Sequence, residues 1–204
     1  DMGVQGMDET QISNRMADLG ALLSGSADMD RASVSLRTLS AADMRGPALE
    51  VLRAVLTTPQ FPPKVFEREQ ARSVVALKEA LTRPEAIASK AFWAAMYPQH
   101  PYGRQAAPES VNALQRTDLL AFYRKHYTAQ RASVTIVGDL ARAQAEALAQ
   151  QLTSGLPSGS LVAALAVPQL PAALEQRIAH PAAQAHVLLG LPALKRGDPD
   201  FFAL

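Results

Sequence analysis

Few residues in this chain could carry catalytic or metal-binding chemistry. Among its 204 residues are four histidines and no cysteine, which excludes thiol nucleophiles, disulfides and thiolate metal sites. The closest histidine pair, His180 and His186, is six residues apart with a proline between, a spacing that suits no helical metal site. We interpret His100, which lies beside Pro101, as a turn residue with a satisfied ring and not as a ligand.

Other arrangements for catalysis are equally sparse. The sequence contains no G-x-S-x-G, no phosphate-binding G-x-x-x-x-G-K-[ST] and no dinucleotide-binding G-x-G-x-x-G. Asp28 and Asp30 could form an acid–base pair, but two aspartates between two strand-like runs are more typical of turn chemistry. The formal charge of +1 gives no electrostatic indication of nucleic-acid binding, and no apolar run is long enough for a transmembrane helix.

The most informative stretch runs from residue 61 to residue 83. Apolar residues recur there at near-helical spacing, and two prolines at its start suit a first helical turn. The sequence Arg83-Pro84 indicates the end, since proline disfavours a helical residue before it. In a helix, Glu69 and Ala76 project from the same face, because seven residues make almost two turns.

This helix and the motifs after it resemble the pitrilysin (insulinase-like) zinc metallopeptidases. Members of the family have a helix with two glutamates, a proline, an H-P-Y-G turn and a strand that ends in V-G-D. The corresponding pieces occur here in the same order: Glu69, Val74-Val75, Pro84, His100-Pro101-Tyr102-Gly103 and Val137-Gly138-Asp139.

The resemblance implies that a metal ligand has been lost. In active members the second glutamate of this helix is the third zinc ligand, and that position is Ala76 here. A methyl group cannot bind zinc, and Glu79, three residues later, is rotated away from the required direction. The family's zinc-binding H-x-x-E-H motif is also absent from the sequence. We therefore expect no catalytic residue, metal or cofactor in this chain, and zinc only in a catalytic sister subunit.

The resemblance also implies a peptide-binding edge. In active members a strand of the form G-x-x-L-N-A-x-T pairs its backbone with an extended substrate. The matching run here places Ser24, Gly25, Ser26 and Ala27 at that edge, with Ser24, Gly25 and Ala27 departing from the pattern. Backbone pairing does not depend on side chains, so substrate binding could survive these changes. An ordinary hairpin that closes a core is the alternative.

Periodicity and turn residues predict an α+β fold, in which an antiparallel sheet has helices packed on one face, as in the pitrilysin/LuxS-type metallohydrolases. We predict further helices at 7–19, 42–57, 84–97, 117–127 and 141–152, and strands at 21–27, 32–39, 132–137, 176–180 and 185–191. Thr117 is the expected N-cap of its helix, and Trp93 is expected in the core. The composition of residues 155–174 predicts a linker. The resemblance implies that residues 1–154 are part of an N-terminal peptidase-like domain and that 175–204 are the first hairpin and helix start of a second, similar domain. Both ends are expected to be cut from a longer protein.

Pitrilysin-like peptidases of bacteria and organelles often work as pairs, in which a silent subunit completes the chamber of a zinc-carrying sister. The chain most resembles the silent subunit of such a pair, of the mitochondrial-processing-peptidase type. Its expected partners are a catalytic subunit of the same family, or a second copy, and a peptide substrate, and a periplasmic location is favoured. Two alternatives remain: a fragment of an active peptidase whose H-x-x-E-H motif was truncated, and a structural subunit with no substrate role.

Overall fold

Helices dominate the structure, a computed structural model that describes residues 3–160, 164–169 and 171–203. The α-helices are α1 (Glu9–Asp18), α2 (Ala42–Thr57), α3 (Pro63–Ala80), α4 (Pro84–Met96), α5 (Pro108–Asn112), α6 (Arg116–His126) and α7 (Arg142–Thr153). The strands are β1 (Leu22–Ala27) and β2 (Ala32–Arg37). Single turns of 3-10 helix lie at Pro101–Gly103, Ala129–Arg131 and Phe201–Ala203.

The chain divides into two compact units. The first contains residues 1–69 and 114–163, and the second contains residues 70–113 and 164–204. Helix α3 begins in the first unit and ends in the second. The domain boundaries expected from the sequence, at 154 and 175, remain a prediction.

Local signals at both ends fix helix α1. At its start, the Asp8 carboxylate accepts from the Gln11 N–H, and the Gln11 side chain accepts from the Asp8 N–H, a capping box. At its end, Gly20 takes a φ of 59°. Its N–H donates to the Ala17 carbonyl and that of Ala21 donates to the Met16 carbonyl. This is a Schellman motif, which needs a residue that adopts the left-handed region at no steric cost.

The main core lies in the first unit, between α1, the hairpin and α2. The buried cluster comprises Val4, Ile12, Met16, Leu19, Ala21, Ala48 and Val51. Leu23 of β1 and Leu36 of β2 pack against it from the same face of the hairpin. The apolar residues of the first helix and its end, Ile12, Met16 and Leu19, are therefore all buried.

Aromatic residues at the end of α4 and in the following turn organise the second unit. The Trp93 and Tyr97 rings stack with centroids 5.7 Å apart, and the Tyr102 ring meets Tyr97 edge-on. Gly103 lies so close to the Tyr97 carbonyl that a Cβ there would clash with its oxygen. A glycine is therefore required where the H-P-Y-G turn folds back on α4.

The α+β fold class is confirmed as a set of helices with a small antiparallel sheet, but three predicted strands are wrong. Within the described residues, only β1 and β2 are strands, and 132–137, 176–180 and 185–191 are not. Alternating sequence indicates a surface suited to a sheet, but a strand also needs a neighbour to receive its hydrogen bonds. Neither β1 nor β2 pairs with these segments in the part of the chain that the structure describes, and Val137 and Leu189 are almost fully exposed.

Smaller expectations also need correction. Gln115, not Thr117, is the N-cap of α6, and its N–H donates to the Asp118 carboxylate. Trp93 is 38% exposed and is therefore only partly in the core. Helix α5, which begins at Pro108, was not predicted, because a five-residue helix contains too few apolar repeats to show a period.

Candidate functional site: an open strand edge and an apolar cavity

The predicted peptide-binding residues lie on β1, which pairs with β2 in an antiparallel hairpin. Ser24 pairs with Ser35, Gly25 with Val34, and Ser26 with Ser33, whose hydroxyl is 3.0 Å from that of Ser26. The serines face away from the core. Gly25, like Leu23, lies on the face that is turned to it, since successive residues of a strand alternate.

The hairpin turn determines which backbone groups of β1 remain open. The Asp28 N–H donates to the Arg31 carbonyl across the turn. Asp28 and Arg31 are thus a pair whose N–H and C=O groups point towards each other. In an antiparallel ladder such pairs alternate with pairs whose N–H and C=O groups point away from the partner strand. The N–H and C=O groups of Leu23, Gly25 and Ala27 therefore face the edge away from β2. No other described strand pairs with this edge.

Asp28 organises the turn and is not half of an acid–base pair. One of its carboxylate oxygens accepts from the N–H groups of Asp30 and Arg31, and the other accepts from the Arg31 guanidinium. The two backbone N–H groups, followed by the guanidinium, lower the pKa of Asp28. The interpretation of these aspartates as turn residues is therefore correct.

A cavity of about 670 Å³ lies in the first unit, beside the hairpin. Its lining is mostly apolar and includes four aromatic rings. The lining residues are Gly3, Val4, Leu23, Ser24, Gly25, Val34, Val55, Leu56, Pro59, Phe61, Leu114, Asp118, Leu119, Phe122, Tyr123 and Tyr127. No pattern considered in the sequence predicted this cavity, although the aromatic residues of α6 were an available signal.

Two hydrogen-bonded contacts hold α6 against the end of α2 and the connection that follows it. The Tyr123 hydroxyl donates to the Leu56 carbonyl at 2.8 Å, and the Arg116 Nε donates to the Phe61 carbonyl at 2.6 Å. The Tyr123 ring also meets the Phe61 ring edge-on. These contacts fix one wall of the cavity. Phe122, on the same helix, is 58% exposed.

The side chains of α3 do not fit a zinc site. Ala76 offers no donor atom. The Glu69 carboxylate is 2.9 Å from the Arg68 guanidinium, whose Nη1 and Nη2 also bind both carboxylate oxygens of Glu9. Glu79 is exposed. In the described ranges, no group of three or more His, Cys, Asp or Glu side chains could hold a metal ion.

The histidines serve other contacts. The ring of His100 is buried; its Nδ1 accepts from the Tyr102 N–H at 3.2 Å and its Nε2 lies 3.1 Å from the Ala166 carbonyl. Because a carbonyl only accepts, Nε2 carries the hydrogen. The prediction of a turn histidine with a satisfied ring is therefore confirmed. His126 accepts from Arg131, and burial, then the cations of Arg131 and Lys125, lower its pKa.

The chain is similar to the M16 peptidases. Residues 113–204 match the sequence profile of the family described as Peptidase M16 inactive domain. A solved structure of a peptidase M16 inactive domain from Pseudomonas fluorescens is 33% identical, with a TM-score of 0.81. That alignment covers 83% of this chain and 42% of the other. A search of curated proteins returns no significant match.

Two further solved structures share the fold at low identity. A protease from Helicobacter pylori is 16% identical with a TM-score of 0.68, covering 82% of this chain and 40% of its own. The periplasmic protease PqqL from Escherichia coli is 17% identical with a TM-score of 0.64, covering 83% of this chain and 19% of its own. The chain thus spans less than half the length of each of these three relatives.

We expect the ion pair between Glu9 and Arg68 to contribute stability only above acidic pH. The hydrogen bond from Arg68 lowers the pKa of Glu9 below its ordinary value of 4.5. A carboxylate with a lowered pKa stabilises the fold above its unfolded pKa, and this contribution is lost as pH falls through the folded pKa. Glu9→Gln should therefore lower the Tm at neutral pH, and its difference from wild type should shrink as pH falls below 4.5 and disappear below the lowered folded pKa.

Glu67→Gln is the matched control, since it removes the same charge from an exposed position of α3. Thermal unfolding followed by circular dichroism across this pH range measures both variants. An equal loss of Tm for the two variants, or a Glu9→Gln difference that persists at low pH, would contradict the prediction.

His100 should contribute to stability through both ring nitrogens. His100→Ala leaves the Tyr102 N–H and the Ala166 carbonyl without this partner in a partly buried place, at a cost of about 1–3 kcal/mol. His100→Asn should recover part of this loss, because an asparagine oxygen can accept from the Tyr102 N–H as an N-cap does. Urea unfolding measures the order: wild type, then Asn, then Ala. Equal stability of the Asn and Ala variants would refute the role of Nδ1.

Proposed function

We propose that the protein is a non-catalytic subunit of an M16, or pitrilysin-like, peptidase, because residues 113–204 match the family described as Peptidase M16 inactive domain. In this proposal it closes a peptide-digesting chamber together with a catalytic sister subunit that carries the zinc. The protein also helps to hold an extended peptide substrate.

The observation that carries the proposal is Ala76, at the position where active relatives have their third zinc ligand. The fold itself does not separate active from silent members, because two of the similar structures are described as proteases. A catalytic zinc site uses three protein ligands. Ala76 stands at one of these ligand positions, and Glu69 on the same face of α3 is paired with Arg68. Helix α3 therefore offers no other carboxylate that points in the direction of the missing ligand.

Substrate binding is proposed at the open edge of β1. Its outward N–H and C=O groups, at Leu23, Gly25 and Ala27, can receive an additional strand through backbone hydrogen bonds alone. This mode tolerates the departures from the family pattern at Ser24, Gly25 and Ala27. A purely structural subunit would have the same hairpin but no saturable peptide binding.

The assembly is proposed to be a heterodimer in the periplasm, the compartment of the E. coli neighbour. No helix within 3–160, 164–169 or 171–203 has the length and apolar character to cross a membrane. Fractionation of cells that express the full-length protein tests the compartment.

Reconstitution tests the proposed division of labour. The full-length protein alone should hydrolyse no peptide, and adding the catalytic M16 subunit from the same organism should produce activity that a chelator abolishes. Activity of the purified protein alone, removed by a chelator, would contradict the proposal. A catalytic subunit that is equally active with and without this protein would contradict its role in the chamber.

Ala27→Pro tests the peptide-binding edge. Proline has no N–H, and the Ala27 N–H faces outward, so the substitution removes one donor from the edge and none from the hairpin ladder. We expect several-fold weaker binding of an extended peptide, the loss of about one hydrogen bond. Fluorescence anisotropy with a labelled peptide and the assembled pair measures it.

Ala32→Pro is a close control. Ala32 is the partner of Ala27 in the hairpin, and its outward N–H lies on the opposite edge, that of β2. It should leave peptide affinity unchanged. Equal weakening by both variants would place the peptide elsewhere or indicate a general effect on the hairpin.

A further inference from the structure

We propose that the cavity beside β1 is a specificity pocket for large apolar side chains of the bound peptide. The inference rests on the proposed function, since the peptide is the strand that pairs with the open edge. It adds the substrate class: extended segments with bulky apolar residues at alternate positions.

The cavity and the edge share residues of β1. Leu23, Ser24 and Gly25 line the cavity, and the backbone groups of Leu23 and Gly25 also face the open edge. Residues directly opposite each other in neighbouring strands project to the same face. The peptide residues opposite Leu23 and Gly25 therefore direct their side chains to the side of the hairpin on which the cavity lies.

The lining selects an apolar occupant. Phe61, Phe122, Tyr123 and Tyr127 contribute rings, and Asp118 is the one charged residue among the lining residues. A carboxylate oxygen of Asp118 already accepts from the Gln115 N–H at 2.8 Å. A charged side chain would lose its hydration here with little compensation, whereas an apolar one would gain from burial.

The size of the cavity fits more than one side chain. Its volume of about 670 Å³ lies within the range of pockets that hold small ligands, ~300–1,000 Å³. Alternate residues of a strand lie about 6.6–6.8 Å apart on one face. A peptide along β1 can therefore place two such residues, at positions i and i+2, against the same cavity.

Gly25 leaves space on the core-facing side of β1, where the cavity lies. It has no side chain, and a Cβ there would have only the Ser33 carbonyl within 4 Å, at 3.8 Å. A larger residue at position 25 is thus compatible with the hairpin, and its side chain would project on the core-facing side, into the space proposed for the peptide. Valine suits a strand and is the substitution of choice.

The experiment compares two peptides bound to the full-length protein in its assembled pair. One heptapeptide carries phenylalanine at positions 3 and 5, and the other carries threonine there, which retains a preference for extended structure. Wild type should bind the phenylalanine peptide at least about tenfold more tightly. Gly25→Val should remove this preference, because the added methyl groups occupy the space into which the phenylalanine rings project.

Ser35→Val is the matched control, because it enlarges a residue on the opposite face of the same hairpin. It should retain the preference. Phe122→Ala removes a half-exposed ring from the cavity wall and should also reduce the preference for the phenylalanine peptide. This second variant tests the pocket even if Gly25→Val does not fold. Thermal unfolding of each variant accompanies the binding data.

The outcomes separate the two proposals. If wild type binds both peptides equally, or if Gly25→Val and Phe122→Ala both retain the preference, the pocket is refuted and the edge-binding proposal stands. If Gly25→Val weakens both peptides alike while Phe122→Ala has no effect, Gly25 acts through the edge and the pocket is again refuted. If neither peptide binds wild type, the proposed function fails and the pocket fails with it.

Discussion

A strand in a two-stranded hairpin satisfies only half of its backbone hydrogen-bonding groups. In β1 the groups of alternate residues point to β2, and those of Leu23, Gly25 and Ala27 point away from it. A row of open donors and acceptors is a template for one more strand. The proposed role of this protein depends on that constraint, because an edge of this kind can hold a peptide of varied sequence without catalytic side chains.

The surrounding fold holds this edge in a defined orientation. Leu23 and Leu36 fix one face of the hairpin to the core formed with α1 and α2, so the hairpin does not depend on its own two strands for stability. The Schellman motif at Gly20 then directs the chain from α1 straight into β1. On the other side, contacts from Arg116 and Tyr123 hold α6 next to the same strand and create the cavity.

Local signals in the sequence predicted more of the structure than long-range ones did. The hairpin turn at Asp28 and the bounds of α2 follow from residues a few positions apart, and these were identified correctly. The strands expected at 132–137 and 185–191 failed because alternation does not supply a pairing partner. The cavity was missed for a similar reason, since its lining comes from segments as distant as Gly3 and Tyr127. Motif order indicated the resemblance to the M16 peptidases, but the meaning of Ala76 depends on that resemblance and not on geometry.

The phenol that links α6 to the end of α2 has a consequence for alkaline conditions. Burial, followed by the neighbouring Tyr127, raises the pKa of Tyr123. A free tyrosine ionises with a pKa of about 10. The Tyr123 hydroxyl therefore keeps its proton, and its hydrogen bond to the Leu56 carbonyl, at a higher pH than a free tyrosine would. The stabilisation is present below the unfolded pKa and is lost only as pH rises through the raised folded one. The aromatic wall should therefore survive in mildly basic media, and electrophiles that attack phenolates, such as iodine, should modify Tyr123 only after tyrosines of ordinary pKa have reacted.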